Sequence, residues 1–486
     1  MIPKADYIRI LPELVLALFG TIIMFVDPLL AEQRRTRVLG GIALLGSLGA
    51  VAASILQLQY PGPGFWGFIQ VDDFSIFFHL LVTIAATLVI MASFEYLEVQ
   101  EISSGEYFGL ILLGTIGMGL MSSAVELVLI FIALEISSIS TYILAGFRRQ
   151  DAGSIESSMK YFLLGSFATA FFLYGIALIF GATGSTNVPE IARALQARSG
   201  SLLPYAAFAL IFVGLGFKIA SAPFHVWTPD VYEGAPSPVV AFMSTAPKMA
   251  VFAVLLRILF VTESGGAAAG ARPVWFWWVW ASAAVSMTLG NLGALVQTNI
   301  KRLLAYSAIA HAGYLLMAFA AAPLAGISAA MFYAAAYTAM NLGAFIVVSH
   351  FANAGERYVT LDDYTGLGRR SPGLAAVLSV FLISLIGIPV TAGFFAKFYV
   401  FSAALKADLV GLTIIAVINS AIGAYYYLRV IVTMYMRDAV RHTPLLAVPA
   451  GVKLTLGISV LATIYLGILP SRILEYANRS AESLLR

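Results

Sequence analysis

The sequence has no cysteine among its 486 residues. Disulfides, thiolate-bound iron–sulfur clusters, thiolate zinc sites and cysteine nucleophiles are therefore excluded together. Charge is also scarce, because Asp, Glu, Lys and Arg make up 11% of the chain, against about 25% in soluble domains. Hydrophobic residues reach 60% and the mean hydropathy is +0.91. This composition indicates a polytopic membrane protein.

Motifs for nucleotide or metal binding are missing as well. The chain has no phosphate-binding Gly-x-x-x-x-Gly-Lys, no dinucleotide fingerprint after a strand and no His-Glu-x-x-His. Its five histidines are scattered, without metal-ligand spacing. We therefore predict no cofactor or metal site in this chain. Residues 1–9 lack the basic segment of a signal peptide, so we expect the first apolar span to be retained.

What the sequence contains instead is a series of long apolar stretches. A helix needs about 20 residues to cross a hydrocarbon core of about 30 Å. The stretches are continuous, without the alternation of apolar and polar residues that barrel strands show. We predict an all-α polytopic membrane protein of about fourteen transmembrane helices, near residues 8–27, 37–57, 74–94, 107–123, 125–146, 161–182, 203–222, 238–261, 273–297, 303–321, 326–351, 372–403, 409–436 and 450–470.

Loop charges predict the orientation of these helices. Most Lys and Arg residues between spans fall on one side, including Arg148, Lys301 and Arg369. The positive-inside rule makes that side cytoplasmic and places both termini in the periplasm, as an even number of spans requires. The abundant aromatic residues, such as Trp277 and Trp278, are expected in lipid-facing and interfacial belts.

Two lysines lie within apolar runs in the segment 215–248. A charged side chain at membrane depth costs about 2.5 kcal/mol or more, so Lys218 and Lys248 indicate a path for charge. Arg257 and Arg429 also lie within predicted spans but nearer helix ends, where they could snorkel or pair. Between the two lysines, residues 223–238 hold four prolines, which cannot continue a helix: Pro223, Pro229, Pro236 and Pro238.

An acidic residue, Glu135, lies in the middle of another apolar run. A carboxylate there would be neutral unless a cation within about 4–6 Å kept it ionised. Lys218 and Lys248 are the candidate cations. We hypothesise that Glu135 pairs with Lys218 and that opening the pair releases the lysine's proton toward Lys248, with His311 as a possible relay. The alternative is a static ion pair that only holds helices together.

The twelfth predicted helix repeats the features of the seventh. A Gly/Pro interruption at 387–389 precedes a third intramembrane lysine, Lys397. Interrupted helices at corresponding places in two halves indicate a transport site built from inverted repeats. We therefore predict two inverted five-helix units, helices 4–8 and 9–13, with helices 7 and 12 broken. Carbonyl groups freed at each break can face only protein or water, which implies hydration beside each lysine.

The whole chain, 1–486, is thus predicted to be one membrane domain. Helices 1–3 lie in residues 1–106, the two five-helix units occupy 107–261 and 273–436, and the last helix and tail lie in 450–486.

Four segments of the chain carry a family resemblance. The segments are Lys-Tyr-Phe-Leu-Leu-Gly-Ser-Phe at 160–167, Ala-Pro-Phe-His-Val-Trp-Thr-Pro-Asp-Val-Tyr-Glu-Gly-Ala-Pro at 222–236, Lys-Arg-Leu-Leu-Ala-Tyr-Ser-Ala-Ile-Ala-His-Ala-Gly-Tyr at 301–314 and Ala-Tyr-Tyr-Tyr-Leu-Arg-Val at 424–430. With them, essentially the whole chain resembles the antiporter-like membrane subunits of respiratory complex I, most closely the N-type branch. The M-type branch has glutamate where this chain has Lys397, and the L-type branch has a long lateral helix after its last span.

The resemblance implies specific roles. Glu135 matches the family's helix-five glutamate, Lys218 and Lys248 its helix-seven and helix-eight lysines, and Lys397 the residue of its exit half-channel. The chain would then be a proton-translocating subunit of a bacterial inner-membrane NADH:quinone oxidoreductase. It would lie beside M-type and small K- and J-type subunits. NADH, FMN, iron–sulfur clusters and quinone would be bound by other subunits, and this chain would hold no redox site.

Three alternatives remain at this stage. The D-type subunit of multisubunit cation/proton antiporters is similar in length and lysine pattern, although the 424–430 motif favours the N-type branch. A free-standing solute transporter would instead gather the lysines around one pocket. A passive scaffold would hold them in trapped ion pairs.

Overall fold

The computed structural model describes residues 3–102, 105–197, 202–263, 274–321, 323–352, 354–439 and 447–485. One short antiparallel hairpin, β1 (Gly62–Gly64) and β2 (Ile69–Val71), accompanies the helices. The α-helices are α1 (Lys4–Arg9), α2 (Leu11–Val26), α3 (Glu32–Leu56), α4 (Asp73–Val99), α5 (Gly105–Ser123), α6 (Leu127–Ala145), α7 (Ala152–Thr183), α8 (Val188–Ala197), α9 (Leu203–Ile219), α10 (Thr228–Gly234), α11 (Ser237–Met243), α12 (Ala246–Glu263), α13 (Val274–Leu295), α14 (Ile300–Phe319), α15 (Pro323–Ala352), α16 (Leu367–Arg370), α17 (Pro372–Ile386), α18 (Ala392–Lys406), α19 (Val410–Met436), α20 (Ala450–Ile468) and α21 (Ser471–Leu485).

The helices confirm an all-α polytopic membrane protein. Within the described residues, 11 helical segments are long and apolar enough to cross a membrane. The other predicted spans coincide with the shorter apolar helices α9 and α17 and with the tryptophan-rich α13. The predicted join between the fourth and fifth spans is also found, because α5 ends at Ser123 and α6 begins at Leu127.

Three spans are interrupted within the described residues. The break after α9 begins at Ala220, whose backbone is left-handed with φ 59°, and the break after α17 begins at Gly387 with φ 92°. Both had been expected. A third break, between α11 and α12, was not predicted. Its sequence signal is Pro247 in the first turn of α12, since proline has no N–H to continue the hydrogen bonds of α11.

Helix packing recurs between the two halves of the chain. In the first half α5 packs on α6, α6 on α7, α7 on α9, and α12 returns to α5. In the second half α13 packs on α14, α14 on α15, α15 on α18, and α19 returns to α13. The same order of contacts in both halves is what two five-helix units require. The lysines beside the three breaks, Lys218, Lys248 and Lys397, are buried within the bundle.

Candidate functional site

Lys218 lies in the last turn of α9 and is 6% exposed. Its ammonium donates a hydrogen bond to the Tyr142 hydroxyl at 2.8 Å. The same nitrogen lies 4.4 Å from the ring centroid of Tyr142 and 5.1 Å from that of Tyr161. A hydroxyl and two aromatic faces thus surround the charge, and ring faces attract cations by their quadrupole.

Glu135 does not form the ion pair that we hypothesised. Among the described residues, no basic side chain bonds to its carboxylate, and Oε1 is buried without a hydrogen-bond partner. Lys218 instead bonds Tyr142, which lies seven residues beyond Glu135 on α6. A static pair between these two groups is therefore not the role of Glu135 in this structure.

Lys248 lies in the first turn of α12, immediately after the unpredicted break. It is 1% exposed, and its ammonium has no hydrogen-bond partner among the described residues. The Tyr232 ring centroid lies 5.7 Å from the Lys248 nitrogen. Buried polar groups are normally bonded to protein or to ordered water, so we infer that water meets this amine.

His311 lies on α14 with two hydroxyl partners. Nδ1 is 2.6 Å from the Tyr333 hydroxyl, and Nε2 is 3.3 Å from the Tyr427 hydroxyl. The imidazole ring lies 5.2 Å from the ring of Tyr337 and 5.8 Å from that of Tyr314. Each hydroxyl can donate or accept, so the imidazole is placed to exchange a proton on both sides.

Lys397 lies on α18 and reaches back across the break to the end of α17. Its ammonium donates to the carbonyl oxygens of Leu385 at 3.1 Å and Ile386 at 2.7 Å, and to Ser420 Oγ at 2.9 Å. The ring centroid of Tyr314 is 5.0 Å from the same nitrogen. Two of the carbonyls freed at this break, which we expected to face protein or water, are bonded by the lysine itself. The charge also lies at the negative end of the α17 dipole, which stabilises it.

Aromatic rings connect the two lysines of the first half. The ring of Tyr161 lies 4.6 Å from that of Tyr142 and 4.4 Å from that of Trp227. Trp227 lies 6.1 Å from Tyr232, the ring beside Lys248. In the second half, Tyr314 lies between the histidine and the third lysine. The lysines thus form a row along the bundle, which disfavours a single pocket for a solute.

The expectation for aromatic residues was only partly right. Trp277 and Trp278 are 59% and 46% exposed, as lipid-facing residues would be. Tyr232, Tyr314 and Tyr337, in contrast, are buried, and their hydroxyls have no hydrogen-bond partner among the described residues. Sequence alone does not distinguish a buried tyrosine from a lipid-facing one in an apolar helix. Tyr232, Tyr314 and Tyr427 lie in segments that carry the family resemblance, whereas Tyr142, Tyr333 and Tyr337 had no such signal.

A buried ionic cluster at one end of the bundle was missed. Glu356 accepts from Lys301 at 2.5 Å and lies 3.5 Å from Arg148. Its other oxygen accepts from the Tyr96 hydroxyl at 2.7 Å and from the Ser237 backbone N–H at 2.6 Å. Burial alone would raise the pKa of Glu356, but Lys301 and Arg148 outweigh burial and hold that pKa below its ordinary value. The cluster joins α4, α11, α14 and two loops.

Two intramembrane arginines pair as their positions suggested. Arg257 makes a bidentate bond to the Asp72 carboxylate, at 3.0 and 3.1 Å, and both side chains are buried. Arg429 donates to the Leu295 carbonyl at the end of α13 at 2.9 Å. Neither arginine contacts the buried lysines in these bonds. We therefore assign both a structural role, in which they hold neighbouring segments of the bundle together.

Known proteins resemble this chain throughout its length. The family described as NADH:quinone oxidoreductase/Mrp antiporter, transmembrane region, matches residues 124–423. A curated relative, NADH-quinone oxidoreductase subunit N 2 of Koribacter versatilis (strain Ellin345), is 62% identical and is aligned over 100% of this chain and 99% of the relative. The chain belongs to the NADH-quinone oxidoreductase subunit N family. The N-type resemblance seen in the sequence is thereby confirmed.

Solved structures agree with the family. A chain of respiratory complex I from Thermus thermophilus with bound aureothin is 36% identical, with a TM-score of 0.81 over 96% of this chain and 98% of that one. A chain of the Mrp complex from Dietzia sp. DQ12-45-1b gives a TM-score of 0.84 over 99% and 97%, at 19% identity. The second likeness shows the fold alone. The subunit N family is therefore better supported than the antiporter D-type alternative.

Metal binding finds no support in the described part of the chain, where no group of three or more His, Cys, Asp or Glu side chains could hold an ion. The chemistry that the site offers is proton exchange between amines, an imidazole, a carboxylate and phenol hydroxyls.

Proposed function

We propose that this chain moves protons across the membrane as the N-type module of a proton-translocating NADH:quinone oxidoreductase. The observation that carries the proposal is the set of buried titratable groups Lys218, Lys248, His311 and Lys397. Aromatic rings connect Lys218 with Lys248, and Tyr314 lies between His311 and Lys397. Isolated buried charges are costly, so such a row has a functional rather than a packing origin. Redox chemistry, with NADH, FMN, iron–sulfur clusters and quinone, belongs to other subunits.

Glu135 acts in this proposal as a movable counter-charge. An anion close to Lys218 favours its charged form, and withdrawal of the anion favours proton release. In the arrangement described above, Lys218 bonds Tyr142 and Glu135 is not bonded to the lysine, which is the arrangement from which the lysine would release its proton. Approach of the two groups would load the lysine again. The proton then passes by Lys248 and His311 to Lys397, the last group before exit.

The membrane placement is part of the proposal. The end that carries Arg148, Lys301 and Glu356 faces the cytoplasm, and both termini face the periplasm of a bacterial inner membrane. M-type and small K- and J-type subunits are the neighbours. Reporter fusions at Arg369 should report cytoplasm and fusions at Asp408 periplasm. The opposite pattern would overturn the orientation.

Vesicles containing the assembled complex provide the test of function. Proton uptake per quinone reduced should fall in Lys248→Ala, normalised to assembled complex. Lys406→Ala, at the exposed end of α18, is the matched control and should leave uptake at the parental value. Parental proton uptake in an assembled Lys248→Ala complex would contradict the proposal that the buried lysines carry the protons.

A further inference from the structure

A histidine and a carboxylate are buried together in the N-terminal helices. His79 lies on α4 and is 1% exposed, and Glu13 lies on α2 and is 6% exposed. Glu13 Oε1 lies 3.1 Å from His79 Nε2. Neither residue belongs to the set of buried groups that the proposed function uses. Ionisable groups buried in a membrane bundle are costly, so the pair requires a physical explanation of its own.

Both ring nitrogens of His79 face hydrogen-bond acceptors. Nε2 is 2.6 Å from the carbonyl oxygen of Gly119 on α5, and a carbonyl can only accept. Nδ1 is 2.9 Å from Gln57 Oε1. The Gln57 amide has this orientation because its nitrogen donates to the Arg9 carbonyl at 2.6 Å. A neutral imidazole has one N–H and could bond only one of the two acceptors, so the geometry requires the doubly protonated ring.

Glu13 supplies the negative charge that a buried imidazolium needs. Both of its oxygens are buried without a hydrogen-bond partner among the described residues, so the carboxylate acts on the ring through its charge. Gly119 leaves room for this approach, because a Cβ there would lie 2.5 Å from Glu13 Oε1. A second carboxylate that acts on the ring, Asp72, is itself paired with Arg257.

The pair joins the first helices of the chain to the rest of the bundle. Glu13 comes from α2 and His79 from α4, and Gln57 lies in the turn after α3. Glu13 alone is charged among the buried residues of α2, all of which are described; the others are Pro12, Leu16, Gly20 and Ile23. Loss of the His79 proton would leave one ring nitrogen facing an acceptor and the carboxylate without a counter-charge. Both changes would weaken the contact between α2 and the bundle.

We propose that His79 and Glu13 form a buried proton-binding site that holds helices α1–α3 on the bundle, and that this attachment depends on pH. The protonated ring is the form that makes both hydrogen bonds and the ion pair. The attachment is therefore complete in acid and weakens as the pH rises and the ring loses its proton. The inference does not depend on the proposed function, because this proton stays in its site and is not transported.

Charge-neutral substitutions test the ion pair. Glu13→Gln leaves a buried imidazolium without its counter-charge, and His79→Gln leaves a buried carboxylate, so each should give less than half of the parental yield of assembled complex. The double variant Glu13→Gln with His79→Gln leaves neither charge and should give a higher yield than both single variants. Glu190→Gln, on the exposed side of α8, is the matched control and should keep the parental yield. Parental yield in Glu13→Gln, or a double variant no better than the single ones, would overturn the charged pair.

The dependence on pH is tested on the assembled complex. The temperature at which this subunit dissociates should be measured from about pH 6 to about pH 9, a range that starts below the ordinary histidine value of about 6.5. It should fall less in the double variant than in the parent, and Glu190→Gln should behave as the parent does. An equal fall in the double variant would overturn the proton dependence.

Vesicle assays separate this inference from the proposed function. Proton uptake per quinone reduced, normalised to assembled complex, should be parental in the double variant. Lower uptake would overturn the conclusion that the His79 proton stays in its site. Parental uptake in Lys248→Ala would overturn the proposed function and would leave the yields and dissociation temperatures expected here unchanged.

Discussion

Replacing Lys397 can separate its structural contribution from its proton chemistry. The lysine bonds the carbonyls of Leu385 and Ile386, and it is 7% exposed. Lys397→Ala removes both donors, and each buried carbonyl left unsatisfied costs about 1–3 kcal/mol. The two carbonyls together cost roughly 2–6 kcal/mol, a large part of the usual stability margin of about 5–15 kcal/mol. We therefore expect Lys397→Ala to reduce assembly as well as pumping.

Lys397→Gln keeps part of the structural role. The amide N–H groups can donate to the same carbonyls, but the amide does not titrate at physiological pH. We expect near-parental assembly with proton uptake per quinone reduced as low as in the alanine variant. Lys406→Gln on the same helix is the matched control. Parental uptake by an assembled Lys397→Gln complex would refute the reasoning, because it would leave the lysine with only the role of a helix cap. Lys397→Glu should retain more uptake than Lys397→Ala, since protonated glutamate can still titrate and donate.

Three further predictions follow from the contacts described above. Glu135→Gln should assemble, because no ion pair is lost, but it should lower proton uptake per quinone reduced. Normal uptake would contradict the role of Glu135 as a movable counter-charge to Lys218. Tyr142→Phe should keep the ring but remove the hydroxyl that holds Lys218, so uptake should slow while assembly changes little, as measured by complex yield. Asp72→Asn should leave Arg257 buried without its counter-charge, which costs about 3–5 kcal/mol, and should lower assembly without changing uptake per assembled complex.

The spans and the lysines were predictable from the sequence for simple physical reasons. Hydrocarbon thickness fixes the length of an apolar run, and a charge inside such a run is rare enough to be noticed. The breaks at Ala220 and Gly387 were signalled by nearby proline and glycine. Pro247 carried the same signal for the third break, but a single proline in a first helical turn is also compatible with an ordinary helix start.

The partners of the lysines could not be predicted. Glu135 and Tyr142 lie on one helix, and which of them meets Lys218 depends on the relative level of α6 and α9, which only packing decides. Glu356 lies in a loop far from Lys301 in sequence, so nothing in either segment indicated that they bond. The fold thus followed from local patterns, whereas the geometry of the site depended on distances between helices.

The bonds of Lys397 have a consequence for the direction of proton release. As an ammonium, the side chain has three N–H groups and, among the described residues, three acceptors: two carbonyls and the Ser420 hydroxyl. Once neutral, the amine keeps two N–H groups and gains a lone pair. The carbonyls can only accept, so Ser420 is the partner that can rotate and donate to that lone pair. Loss of the proton therefore changes the Ser420 hydroxyl from a hydrogen-bond acceptor to a donor. The orientation of this hydroxyl thus differs between the protonated and the neutral lysine.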